Sequence, residues 1–331
     1  MKNKCFIGID VSKETLDIYL QSTAHHFVAQ NSTTGFPAML EGCCRNLGCK
    51  VSDLFFCFED TGRYSRQLAV FLSESGITFT MAPPMDIKKS MGLKRGKSDR
   101  ADAKAIAKYA WQKRDTIEPT VLNSGMVAQL RQLLTLRDKL IRHRTSYKNA
   151  IKDLQDSFFE GETEFLTKSQ LRMIDYLNQE INQVEKQIDQ IIVSSENWKN
   201  NYNLIQTVKG IGPVLAKYLI IYTENFTRIT NPKSFACYAG IAPFEYSSGS
   251  SIKGKTRVHP FANKHLKSLL NMAAMGAIQL NGEYKNYYQR RTHEGKNKMS
   301  TLNIIRNKLV SRVFAVVKRQ SRYVDLSKFA A

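Results

Sequence analysis

The chain has 331 residues, enough for about two domains at roughly 150 residues each. Apolar residues make up 42%, which supplies a sizeable core and excludes a chain that is disordered throughout. Against 29 Asp and Glu stand 49 Lys and Arg, a net charge of +20, so the expected partner is a polyanion, either nucleic acid or an anionic membrane surface.

Residues 4–11 (KCFIGIDV) predict a buried strand that carries Asp10 near its end. Residues 16–20 and 24–30 predict two further strands, and 36–47 a helix. Residues 54–59 (LFFCFE) predict another buried strand, again ending in an acid, Glu59. Thr61-Gly62 breaks it, 64–75 reads as a helix, and 77–82 as a fifth strand stopped by Pro83-Pro84. The order β-β-β-α-β-α-β indicates an α/β sheet with an antiparallel start and a parallel continuation. Residues 88–104 are rich in Lys and Arg. From about 99 to 111 the sequence is Ala-rich without Gly or Pro, which places Asp99 and Asp102 three apart on one helix face.

The middle of the chain predicts a helical hairpin. Leu133, Leu140, Tyr147 and Leu154 repeat every seven residues, with Leu130, Ile151 and Phe158 in a companion seam interrupted by Arg137 and Arg144. After a polar break, Ile174, Ile181 and Ile188 alternate with Leu177, Val184 and Ile191 in a coiled-coil pattern. The partner of this seam is either the other arm of the hairpin or a second chain. Further on, QTVKGIGPVLA sets Gly210-Ile211-Gly212-Pro213 between two helical stretches. That is the pattern of a helix-hairpin-helix, in which backbone N–H groups beside Lys209, Gly210 and Gly212 grip a phosphate; a plain helix–helix turn is the alternative. A loop at 246–255 (YSSGSSIKGK), a helix from about 263 to 278 and basic helices to about 320 complete the mainly α C-terminal part.

Charge is unevenly placed. Residues 1–60 carry 5 basic and 7 acidic side chains, whereas 241–331 carry 17 and 4. The acidic start suits cations, and the basic end suits phosphates. Six cysteines show neither Cys-x-x-Cys nor His-x-x-x-His spacing, so they read as reduced, mostly buried small residues rather than zinc ligands. No apolar run approaches the roughly 18 residues of a membrane span, and the opening MKNKCFIGIDVSK meets Asp10 too early for a secretory leader. The expectation is a soluble cytoplasmic protein, nucleoid-associated when active, with no membrane partner.

Asp10, Glu59, Asp99 and Asp102 stand out as candidate catalytic and metal ligands. Carboxylates brought together repel unless cations hold them, and an all-oxygen set suits Mg²⁺, two ions per site, with Mn²⁺ able to substitute. Such a pair of ions can activate an attacking oxygen and stabilise a leaving one at a phosphodiester. Lys94, Arg95, Lys97 and Arg100 flank the acids as candidate backbone contacts. This plan is that of RNase H-like (RuvC-like) nucleases and recombinases. The serines at 247, 248, 250 and 251 read from composition as a flexible loop. A serine there could equally be a nucleophile toward phosphorus, with Lys253, Lys255 and Arg257 as a phosphate clamp.

FIGIDVSKETLD, FEDTGRY and KSDRADAKAIAKYA resemble the DEDD RuvC-like domain of insertion-sequence transposases of the IS one-ten family, relatives of Piv-type DNA invertases. IQTVKGIGPVLA and FACYAGIAPFEYSSGSSIKGK resemble that family's C-terminal transposase domain with its Ser-Gly loop. The resemblance implies a RuvC-like catalytic domain at 1–125, a coiled-coil hairpin at 126–200 acting as an assembly arm, and a transposase domain at 201–331. It implies a recombinase guided by a bridge RNA that pairs with donor and target DNA. It maps the tetrad onto Asp10, Glu59, Asp99 and Asp102, and the nucleophile, which would form a covalent phosphoserine link, onto Ser248. Dimers and tetramers are implied as the working assembly. Ala262-Asn263 stands where the family usually has Gly-Asn, and Lys267 where it usually has Arg. The other readings are a RuvC-like metal-dependent nuclease or junction resolvase with water as nucleophile, an actin-like phosphotransferase suggested by FIGIDVS, and a non-enzymatic RNA-binding scaffold.

Overall fold

The computed structural model describes residues 4–60, 62–91, 98–122, 125–157, 164–248 and 252–325, with backbone alone for 246–248, 252, 253 and 255. The chain divides into two compact units, Met1–Asn123 and Ser124–Ala331. The first is built on five strands: β1 (Cys5–Val11), β2 (Thr15–Leu20), β3 (His25–Gln30), β4 (Leu54–Glu59) and β5 (Thr78–Ala82). They lie in the order β3-β2-β1-β4-β5. The first three form an antiparallel meander, and β1, β4 and β5 run parallel, as the strand order in the sequence predicts.

Alternation along the strands decides what covers each face of the sheet. Ile7 and Ile9 of β1, Phe56 and Phe58 of β4, and Leu16, Ile18 and Leu20 of β2 point one way. There they pack against Phe36, Met39 and Cys43 of α1 (Gly35–Leu47) and Leu68, Ala69 and Leu72 of α2 (Arg66–Glu74). Each fully buried Phe, Leu or Ile contributes about 1.5–3 kcal/mol to this layer. Phe6, Phe55 and Cys57 point the other way, onto Ile87 of α3 (Pro84–Met91) and Ile106, Tyr109 and Ala110 of α4 (Asp99–Gln112). The sequence reading stopped at Pro83-Pro84 and missed α3. Proline at the first turn of a helix is well tolerated, and Pro84 opens this one.

Among the described residues the second unit is helical apart from one pair of strands. Its helices are α5 (Gly125–Ser157), α6 (Glu164–Val193), α7 (Glu196–Gln206), α8 (Pro213–Tyr222), α9 (Pro232–Tyr238), α10 (Lys264–Gln279), α11 (Glu283–His293) and α12 (Lys298–Arg319). Helix α8 is apolar on nearly every side, and its Leu215, Ala216, Tyr218, Leu219, Ile220 and Ile221 are all buried, which makes it the central helix of the unit.

Helices α5 and α6 pack along each other, with Ile174, Leu177, Ile181, Val184 and Ile188 buried. At the end of the seam Ile192, not Ile191, is fully buried. A straight helix of 3.6 residues per turn drifts by about 20° per heptad, which moves the buried position on by one. The arginines that interrupt the α5 seam face polar partners on α6: Arg137 donates to Glu185 at 2.7 Å and Arg144 to Asn178 at 2.8 Å. The base of the hairpin belongs to the core of the second unit. Leu130, Leu134, Ile188 and Ile192 join its main apolar cluster, Lys217 of α8 pairs with Asp189 at 2.8 Å, and the Tyr218 hydroxyl donates to Asp138. Phe158 lies outside the described residues.

The segment 246–255, expected as a loop, is mostly strand. β6 (Pro243–Ser248) and β7 (Ile252–Val258) pair antiparallel, with Ser247 opposite Lys253 and Ser248 opposite Ile252. Serine and glycine composition favours a turn but leaves the flanks open; pairing with each other is what makes them strands. Among the described residues no helix is long and apolar enough to cross a membrane.

Candidate active site

Strand parity sets the first two acids. Asp10 follows Phe6 and Gly8 on β1, and Glu59 follows Phe55 and Cys57 on β4, so both point to the face that α4 covers. The two strands are parallel neighbours, and Ile9 stands in register with Phe58. Asp10 and Glu59 are the next residues on each, side by side at the carboxyl ends of adjacent strands.

Helix α4 brings the other two. It crosses β1 at Gly8, where a side chain would meet the helix backbone: a Cβ there would lie 2.2 Å from the Ala107 nitrogen and 2.3 Å from the Ala103 oxygen. Ala103 and Ala107, one turn apart, are fully buried and pack with Tyr19. Small residues on both sides thus press the helix against the strand that carries Asp10. The start of α4 is fixed by Ser98, whose hydroxyl accepts from the Ala101 N–H at 3.3 Å. Asp99 and Asp102 fall in the first turn, where the helix dipole favours negative charge.

The electrostatics record the convergence. The Asp10 carboxyl is pushed up to about 6, first by burial and then by the charges of Asp102, Asp99, Glu59 and Asp17, in that order. All three of the other expected acids therefore act on Asp10. Asp17, which sequence reasoning missed, is the cross-strand partner of Asp10 on β2 and is held by His26 Nε2 at 2.8 Å. The alternation in TLDIYL, with Asp17 between the inward Leu16 and Ile18, is the signal that could have found it.

Among the described residues no group of three or more His, Cys, Asp or Glu side chains closes into a cage for an ion. The donor chemistry nonetheless fits a hard divalent cation, because every donor is a carboxylate oxygen and the repulsion at Asp10 is what such a charge would relieve. An open set of this kind suits an ion that keeps water or substrate oxygens among its ligands.

The remaining expected residues are placed as follows. Arg100 is exposed on the first turn of α4, beside the acids. Lys94, Arg95 and Lys97 lie outside the described residues. Ser248 ends β6 in the second unit; its side chain, with those of Lys253 and Lys255, is outside the described residues, and Arg257 is exposed on β7 opposite Phe244. The turn after α7 departs from an open phosphate grip. Lys209 donates to Asp325 at 2.6 Å and to the Asn281 carbonyl at 3.0 Å. Gly210 has φ of +91° and meets α10, where a Cβ would lie 2.7 Å from that of Ala277. Lys209 and Gly210 thus have internal partners, while the space around Gly212 is open. Pro213 opens α8, as expected. Of the six cysteines, Cys43 and Cys57 are buried, Cys5, Cys44 and Cys49 half-buried and Cys237 exposed; all are free thiols.

A mixed sheet with carboxylates brought together at its strand ends from β1, β4 and a covering helix fits an RNase H-like domain, and the C-terminal part of the chain is helical and basic. Residues 7–160 match the DEDD transposase domain of IS110 elements, and residues 202–289 match the transposase domain of the IS116/IS110/IS902 family. The chain belongs to the IS110, or IS one-ten, family of transposases. It is 27% identical to the pilin gene-inverting proteins of Moraxella bovis and Moraxella lacunata, over 98% of this chain and 98% of each of theirs. A third relative, an uncharacterized 43.6 kDa protein of insertion element IS110 from Streptomyces coelicolor, is 26% identical over 36% of this chain and 29% of its own length. The chain is accordingly a DNA recombinase or transposase, and its DEDD domain points to use of a divalent metal ion.

Proposed function

We propose that the chain is the bridge-RNA-guided recombinase of an insertion sequence, cutting and exchanging DNA strands with Ser248 as nucleophile. The observation that carries the metal-dependent part is the raised carboxyl of Asp10, on which Asp102, Asp99 and Glu59 all act. Those four would hold Mg²⁺, which supplies charge stabilisation at the scissile phosphate. In the cleavage step the Ser248 hydroxyl oxygen bonds to phosphorus as the bond to a deoxyribose oxygen breaks. The Ser proton leaves to a base, and the departing sugar oxygen takes a proton from water to become a free hydroxyl. Lys253, Lys255 and Arg257, within a few residues of that serine, would neutralise the phosphate. The pilin gene-inverting relatives, matched over nearly their whole length, support recombination between DNA sites as the outcome.

The RuvC-like domain, the helical hairpin and the transposase domain would act in a dimer or tetramer. The seam between α5 and α6 is filled within the chain. Phe165, Leu171, Met173 and Tyr176 of α6 remain exposed and could serve assembly. Target choice would lie in the RNA, the protein contacting mainly backbone. Denaturing gels of full-length protein with donor DNA and the RNA of the element's flank test the chemistry. Ser248→Ala is expected to abolish the covalent protein–DNA adduct while DNA binding survives. Adducts persisting in both Ser248→Ala and Ser247→Ala would remove serine from the mechanism, and cleavage without any adduct would instead favour water as nucleophile in a junction-resolving nuclease.

A further inference from the structure

A cavity of about 760 Å³ opens in the second unit between α10, α12 and the base of the β6–β7 hairpin. Pro243 and Val258, the register pair that closes the hairpin base, form one wall. Lys264 and Lys267 of α10, Lys296 just before α12, and Arg306 of α12 also line it, and among the described residues its lining holds no Asp or Glu. Four cations facing one cavity with no compensating acid mark a place for negative charge.

Arg306 is the informative member. It is only 5% exposed, and its Nε is buried with no hydrogen-bond partner. Among the described residues it makes no ion pair, whereas the other buried basic side chains, Arg137 and Lys217, each have a carboxylate. Burial pulls the Arg306 guanidinium below its ordinary value, yet an arginine stays charged in a protein. A buried charge without a partner is costly, and a guanidinium is shaped for two oxygens of a phosphate. The start of α12 adds the Ser300 N–H end of a helix to the rim; Asn297 already caps that helix, so the helix end is secondary here.

We propose that this cavity is a phosphate pocket that holds one backbone phosphate of the DNA, with Arg306 as its floor and Lys264, Lys267 and Lys296 as its rim. The pocket sits at the hairpin base, and Ser248 stands five residues along β6 from Pro243, about 17 Å at ~3.4 Å per residue. The phosphate held here is therefore not the one at Ser248, and the site is one of grip and register rather than of cleavage. The inference rests on DNA as the partner and not on the serine chemistry, so failure of the serine reading leaves it standing.

The test uses the full chain, Arg306→Gln and Lys267→Ala/Lys296→Ala, with two readouts. Duplex DNA affinity is measured between about 50 and 200 mM KCl. Melting temperature is measured with inorganic phosphate against chloride at equal ionic strength. Arg306→Gln is expected to weaken DNA binding about tenfold and to flatten the slope of log K against log salt by about 0.9. Removing an unpaired buried charge should leave its melting temperature in chloride equal or higher, while the rise given by phosphate is lost. A melting temperature that falls in chloride, with slope and phosphate response intact, would make Arg306 a structural residue and overturn the proposal. Loss of the phosphate response without any change in the DNA slope would also overturn it, because the pocket would then take free phosphate only. If Arg306→Gln does not fold, the rim double variant decides by the same two readouts.

Discussion

Asp10 concentrates the tension of the site. An unfolded aspartate titrates near 3.8, and the folded one near 6, so between those values the folded chain holds a proton that the unfolded chain has released. Without a divalent ion, stability therefore rises as pH falls through about 6, and the penalty of the charge is fully present above it. Asp10→Asn removes that charge. In chelator at roughly pH 7.5 it is expected to melt a few degrees higher than the parent, with the difference shrinking toward about pH 4. The same variant should lose metal-dependent strand transfer. An unchanged or lower melting temperature at neutral pH would show that the acids do not share one field, and retained activity would remove Asp10 from the chemistry. Four of the acids were legible as residues: Asp10 and Glu59 sit where an apolar run meets an acid, and Asp102 follows Asp99 at helical spacing. Asp17 was not, because its place opposite Asp10 depends on how β2 registers on β1, which no local pattern states.

At the level of elements, the contact between Gly8 and α4 sets the geometry of the site. A methyl group at position 8 would collide with helix backbone, which cannot swing aside as a side chain can. Gly8→Ala is expected to cost roughly 2–4 kcal/mol, or to push α4 outward at a smaller cost in stability. Either way it separates Asp99 and Asp102 from Asp10 and Glu59. The check is a urea titration together with strand-transfer activity. A variant of parental stability and activity would mean that the helix does not bear on the strand. The sequence announced the strands and α4 well, since buried β-runs and an Ala-rich stretch are local signals. It hid the β6–β7 pair, because strands rich in Ser, Lys and Gly owe their form to a partner strand. It hid α3 because a proline pair reads as a stop even where one proline opens a helix. The two arginines in the α5 seam looked like interruptions and are cross-links to α6. Sequence periodicity cannot see the polar residue that an arginine will meet.

Across the whole molecule, charge is divided between the units. Residues 1–123 hold 17 basic and 13 acidic side chains, and residues 124–331 hold 32 and 16. The main apolar cluster of the second unit is drawn wholly from that unit, and those around the sheet wholly from the first. DNA affinity of the full chain is expected to fall by an order of magnitude or more between about 50 and 200 mM salt, with residues 124–331 alone keeping most of that slope and residues 1–123 little of it. Fluorescence anisotropy on a labelled duplex measures this. A steep slope confined to residues 1–123 would contradict the division.

The order in which the chain is synthesised adds one consequence of the helix that lies on Gly8. The sheet and both strand acids are complete by residue 82, but the second pair of acids arrives only with residues 99–112 and counts only once that helix has docked. A ribosome-bound or prematurely terminated product that stops short of the helix would carry only the strand half of the proposed metal site.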